Sequence, residues 1–131
     1  ADIPWIFDVE GEAGFRLREI RMIDQLSTKK NIVLATGGGA VLAEENRNWL
    51  KARGIVVYLR ATLAQQLERT GRDKTRPLLQ TPDPVKKIKE IMEIREPLYL
   101  DVADIIVDTN SRNPRSVGKE VGRQINIYLS E

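Results

Sequence analysis

The residues with chemical potential in this sequence are arginines and glycines. The stretch "NIVLATGGGAV", Asn31 to Val41, runs apolar residues through Thr36 into three consecutive glycines. A short apolar run bounded by turn residues suits a buried strand. Gly37, Gly38 and Gly39 then sit past its carboxyl end, where open α/β sheets bind ligands and where glycine lets a backbone be approached closely. A flexible surface turn fits the same residues. In "GEAGFRLRE", Arg16 and Glu19 are three apart and neighbours on a helix. A carboxylate that fixes an arginine makes it a pre-set fork for an anionic ligand, although spacing alone favours an ordinary solvated ion pair. Arg95, in "REPLY", stands just before a proline. Arg72, Lys74 and Arg76 supply cations for a loop that could close over phosphates, or form a solvated charge cluster. In "TNSRNPRS", Arg112 and the helix start Asn113-Pro114 follow a strand and could receive an anion or a base edge; a well-capped helix start is the commoner reading.

Composition removes most other chemistry. The chain has 131 residues, enough for one domain with a real core, and carries no Cys and no His. Disulfide scaffolds, cysteine nucleophiles, Ser-His-Asp triads and nearly all zinc sites are therefore out of reach. With 21 Lys and Arg against 19 Asp and Glu, the net charge is +2. The two signs are interspersed, unlike the basic stripe of a nucleic-acid binder. No stretch approaches a membrane span and no signal-peptide pattern opens the chain, so a soluble cytoplasmic protein without nucleic-acid or membrane partners is expected.

These residues need elements to hold them. Asp2 and Pro4 read as the cap and first turn of a short helix, and a second helix covers 12–26. Ile32 to Thr36 reads as a strand, Glu44 to Arg53 as a helix stopped by Gly54 as a left-handed cap, and Ile55 to Leu59 as a second buried strand. Thr62 and Gln65 make a capping-box pattern for a helix ending near Gly71. The loop 71–82 follows, then Asp83 and Pro84 open a helix with Val85, Ile88, Ile91 and Met92 on one face. Pro97 should perturb or restart that helix. Asp104 to Thr109 is the third strand, and Asn113-Pro114 caps a last helix with Val117, Val121, Ile125 and Leu129 on one face. Alternating strands and helices predict a parallel sheet covered on both sides.

Taken in order, "IFDVEGEAGFRLRE", "VLATGGGAV", "GIVVYL", "RTGRDKTRPLL", "REPLYLDVAD" and "DTNSRNPRSV" resemble shikimate kinase across essentially all 131 residues. The resemblance implies a three-layer α/β/α P-loop kinase fold with strand order 2-3-1-4-5. It implies one kinase domain over 1–131, with substrate-binding helices and the following strand in 1–36 and a lid in 71–82. The implied reaction moves the γ-phosphate of MgATP to the 3-hydroxyl of shikimate, in aromatic amino acid biosynthesis. The implied roles put Arg16 and Arg95 on the shikimate carboxylate, with Glu19 orienting and Phe7 and Phe15 lining the pocket. Gly37, Gly38 and Gly39 would bring backbone amides to the substrate. Arg76 would close with the lid and stabilise the transferring phosphoryl group, and Arg69, Arg112 and Pro114 would border the adenine. A carboxylated ring suits this set better than the substrate of a related small-molecule kinase such as a gluconate kinase.

The pattern G-x-x-x-x-G-K-[ST] of a phosphate loop is absent: the only Gly-Lys pair, Gly118-Lys119, is followed by Glu120. The family's D-x-D element, which contacts magnesium and shikimate, is absent too. The chain also starts at Ala1 in a structured-looking segment. These features predict the C-terminal part of a longer kinase lacking the first two strands, inactive by itself or a non-catalytic fragment that still binds ligand. Members of the family are usually monomers, and an exposed sheet edge here could promote association.

Overall fold

A computed structural model describes residues 3–72, 84–110 and 112–131, with side chains left undescribed at 3–10, 67, 69–72 and 84. The architecture is α/β and mostly helical. Among the described residues, five α-helices, α1 (Ile3–Ser27), α2 (Glu44–Arg53), α3 (Leu63–Arg72), α4 (Pro84–Val102) and α5 (Pro114–Ser130), accompany two strands, β1 (Val57–Arg60) and β2 (Ile105–Asp108). The strands pair in parallel, Val57 opposite Ile105 and Arg60 opposite Asp108.

Local chemistry sets the element ends. Gly11 sits at φ 72° and ψ 180° and joins two helical stretches of α1 across a kink, a backbone state that a Cβ penalises. The capping box forms: Thr62 N donates to Gln65 Oε1 at 2.9 Å, and Gln65 N donates to Thr62 Oγ1 at 3.1 Å. Asn113 Oδ1 accepts from Ser116 N at 2.8 Å, with Pro114 in the first turn of α5. Asp104 extends the sheet beyond its ladder. Its Oδ2 accepts from Val56 N at 2.7 Å, and its own N–H donates to Val56 O at 2.9 Å.

Several expectations are corrected. Ile32 to Thr36 forms no strand; a strand is defined by its ladder, and no described segment pairs with it, leaving Val33 98% exposed. Gly54 does stop α2 after Arg53, but in extended backbone at φ −169° in place of the left-handed state usual at a glycine stop. Pro97 does not break α4, which runs on to Val102. Pro97 and Glu93 both face solvent, so water can satisfy the carbonyl that the missing N–H leaves free. Burial is uneven across the sheet: on β2, Ile105 and Val107 are buried and Ile106 between them is half exposed, while on β1 Leu59, opposite Val107, is half exposed as well. On α5, Val117, Val121 and Ile125 are half-buried as the stripe requires, but Leu129 is exposed near the helix end. Of the expected loop 71–82, Gly71 and Arg72 are the last residues of α3, while 73–82 and the cap positions Asp2 and Asp83 lie outside the described residues.

Buried Ile23, Ala40, Val41, Ile88, Val102, Ile105 and Val107 make the core. They come from α1, the glycine turn, α4 and β2, so two of them, Ala40 and Val41, belong to the turn that the glycines open.

Candidate functional site

The three glycines enter a tight 3-10 turn, Gly38–Leu42, with Gly37 before it in extended backbone. Ala40 N closes the turn on Gly37 O at 3.1 Å. Neighbouring helices grip it from below. Asn46, wholly buried on α2, donates from Nδ2 to Ala40 O at 3.0 Å. Arg47 Nη1 donates to Val41 O at 2.7 Å and to Leu42 O at 3.2 Å. From α4, the Tyr99 hydroxyl donates to Gly38 O at 2.7 Å. A segment of three glycines, costly to order, is thus held by side chains on two helices.

Two arginines converge on the turn. Arg16, on α1, packs against Gly39 so closely that an added Cβ would stand 2.6 Å from its guanidinium carbon. Arg16 Nη1 donates to Glu19 Oε1 at 2.8 Å, its Nη2 lies 3.9 Å from Glu12 Oε1, and its guanidinium lies 5.1 Å from the Phe15 ring centroid. Arg16 Nε is buried without a hydrogen-bond partner. A buried donor left open is costly unless a ligand or water meets it. Arg95, on α4, is the counterpart: its Nη1 would lie 3.4 Å from a Cβ at Gly38. Glu19 Oε2 would lie 3.7 Å from a Cβ at Gly37, an ordinary contact.

Burial pushes the Tyr99 hydroxyl above the usual phenol range, against the lowering pull of the Arg95 guanidinium beside it. The Tyr99 and Tyr58 rings stack at 4.8 Å between centroids. Tyr58 donates to Glu96, and its hydroxyl is likewise raised, by burial first and by that carboxylate second. Arg60 Nη2 lies 3.1 Å from Glu96 Oε1 as an ion pair whose angle falls short of a hydrogen bond.

Of the residues singled out in the sequence, the structure brings together Arg16, Glu19, Gly37, Gly38, Gly39 and Arg95, with Phe15 flanking Arg16. Arg112 and Pro114 lie apart from that cluster in sequence, after β2. There Gln65 of α3 donates from Nε2 to Thr109 O at 2.9 Å and Arg112 N donates to Thr109 O at 3.4 Å, so the start of α3 meets the β2–α5 connection. Position 69 is one turn further along α3. Arg76 and the side chains of Phe7 and Arg69 lie outside the described residues. Tyr99 and Glu96 were given no role on sequence grounds. The signal was available: Tyr99 follows Arg95 by four residues, on the same helix face.

Other features stand apart from this cluster. A cavity of about 650 Å³, lined by Ser27, Lys29, Asn31, Ile32 and Arg53 among others, shares none of these residues. Among the described residues, no group of three or more Asp or Glu could hold a metal ion, and no helix is long and apolar enough to cross a membrane.

The shikimate kinase family model matches residues 1–126. The shikimate kinase of Psychrobacter arcticus is 54% identical over 130 residues, covering 99% of this chain and 70% of that protein. That of Pseudomonas paraeruginosa is 52% identical over 121 residues, 92% of this chain and 70% of the relative. Among solved structures, a shikimate kinase from Acinetobacter baumannii in complex with shikimate superposes with a TM-score of 0.89 at 46% identity, over 99% of this chain and 71% of that one. The Bacteroides thetaiotaomicron shikimate kinase gives a TM-score of 0.77 at 28% identity, over 93% of this chain and 72% of that one.

Proposed function

This chain belongs to the shikimate kinase family, phosphotransferases with ATP as co-substrate, and we propose that its Arg16–glycine–Arg95 cluster is where the shikimate carboxylate is held. The observation that carries the reading is the placement of two guanidinium groups against adjacent glycines, one of them pre-set by Glu19 and keeping a buried donor open. Guanidinium matches a carboxylate bidentately, and a glycine floor lets a ring lie close to the backbone. Phe15 supports Arg16 from the side, and Phe7 completes the apolar lining in this reading.

The 3-hydroxyl of shikimate attacks the γ-phosphorus of ATP; the new P–O bond forms as the bond to the ADP oxygen breaks, and the hydroxyl proton is lost. Arg76 stabilises charge on the transferring group, and Arg69, Arg112 and Pro114 border the adenine. Catalysis of this kind rests on positioning and electrostatics. The Mg²⁺ that accompanies ATP would be held, in this reading, by the family's phosphate-loop and D-x-D elements, patterns this sequence does not contain. An intracellular supply of ATP makes the cytoplasm the place of action.

The test is shikimate titration by calorimetry, paired with a coupled assay for ADP release. The 131-residue chain and a version extended at its N-terminus by the first two strands, with the G-x-x-x-x-G-K-[ST] loop and the D-x-D element, are compared. Shikimate binding by both, with turnover in the extended protein, is expected. Failure of both to bind shikimate, with no turnover in either, overturns the reading.

A further inference from the structure

Tyr99 stands one helical turn after Arg95, and the substrate reading gives it no part. Its hydroxyl is committed to Gly38 O at 2.7 Å, and a Cβ at Gly38 would come within 2.9 Å of that same oxygen. The ring is held from its other side by Tyr58, whose hydroxyl donates to Glu96, itself ion-paired with Arg60. A phenol braced in this way has little freedom. The peptide it binds has the opposite problem: three glycines sample many backbone states unless something holds them.

A trans peptide is planar, and the plane that contains the Gly38 carbonyl also contains the Gly39 Cα. Fixing the carbonyl oxygen therefore restricts where Gly39 stands. Gly39 is in turn the surface against which the Arg16 guanidinium packs, while Arg95 flanks Gly38.

We infer that Tyr99 is a positioning residue, whose hydroxyl fixes the Gly38–Gly39 peptide and through it the spacing between Arg16 and Arg95. The identity of the anion that enters this gap rests on the substrate reading above; the fixing of the peptide does not. The role is distinct from packing, because the ring alone supplies the stack on Tyr58, while the hydroxyl meets the turn and the Arg95 guanidinium beside it.

Tyr99→Phe separates the two. In protein labelled with ¹⁵N-glycine, the Gly38 and Gly39 amide resonances of the ligand-free variant shift or broaden. Shikimate binds about five- to tenfold more weakly, the worth of one net hydrogen bond, with one site per chain retained. Tyr58→Phe leaves the Tyr99 hydroxyl in place and keeps the affinity within about twofold. A purely structural role would lower the melting temperature or the number of binding sites without moving the dissociation constant or those two resonances. Unmoved glycine resonances with wild-type shikimate affinity in Tyr99→Phe overturn the inference. If the wild-type protein does not bind shikimate while the glycine resonances still move, the positioning role stands and the substrate reading falls.

Discussion

Gly39 shows how one missing side chain decides what a neighbour can do. The Arg16 guanidinium occupies the space that any Cβ there would need. What would give way is the tip of a flexible arginine, not the backbone, so Gly39→Ala should leave the fold nearly intact. Its cost falls on the site. Arg16 would have to leave its 2.8 Å bond to Glu19 or its place beside Phe15. Shikimate affinity is expected to drop tenfold or more, about 1.4 kcal/mol, with the melting temperature within a few degrees of wild type. Calorimetric titration and a thermal melt check both halves, and an unchanged affinity would show that the packing of Arg16 on Gly39 does not matter for binding. The Arg16–Glu19 pair and the glycine run were visible in the sequence because spacing along one helix and along one turn is local. Their meeting was not, since it depends on how α1 folds back over residues more than twenty positions away. Nor was Tyr99, whose partner Gly38 is sixty-one residues distant in sequence.

Helix α4 is the element that joins site to sheet. One side of it presents Arg95 and Tyr99 to the glycine turn, and Glu96 meets Tyr58 and Arg60 of β1. Both phenols are raised above their ordinary value of 10. At neutral pH folded and unfolded states carry the same protons there, so the contribution is fully present. Above about pH 10 the unfolded chain releases protons that the fold retains, and stability falls as pH climbs toward the folded values. Melting followed by circular dichroism from pH 8 to 11 should show this alkaline decline, and Tyr58→Phe should make it shallower; an identical decline in the variant would place its origin elsewhere. Pro97 lies within the same helix. Its position is legible in the sequence but its effect is not, because a propensity rule takes no account of whether the carbonyl it leaves free faces water. Restoring the N–H with Pro97→Ala is expected to stabilise the protein by about 1 kcal/mol or more, read as a higher midpoint in urea.

Across the described residues, a two-stranded parallel sheet is a slight frame for five helices, and polar side chains lengthen it. Thr109 continues the β2 end of the ladder: its N–H and its Oγ1 both donate to Arg60 O at 2.9 Å. Asp104 does the same at the other end, accepting from Val56 N at 2.7 Å, and its Oδ1 lies 3.4 Å from the Tyr128 hydroxyl of α5. One carboxylate, on the residue just before β2, therefore binds the residue just before β1 and reaches the last helix. The run Ile32 to Thr36 has the composition of a strand but lacks this kind of partner, which is why its pattern alone misled: apolar, β-prone residues form a strand only where another backbone completes the ladder. If Asp104 seals the seam, Asp104→Ala leaves a part-buried N–H without its charged acceptor, at a cost of about 1.5 to 3 kcal/mol. In a chain of this size that corresponds to a drop of several degrees in melting temperature. Asp104→Asn keeps an acceptor oxygen at the same reach and should recover most of the loss. Equal melting temperatures for Ala and Asn variants would mean that the side-chain bond to Val56 N contributes nothing, and that β1 and β2 are held together by their four ladder positions, the backbone and Thr109 bonds at the two ends, and the core.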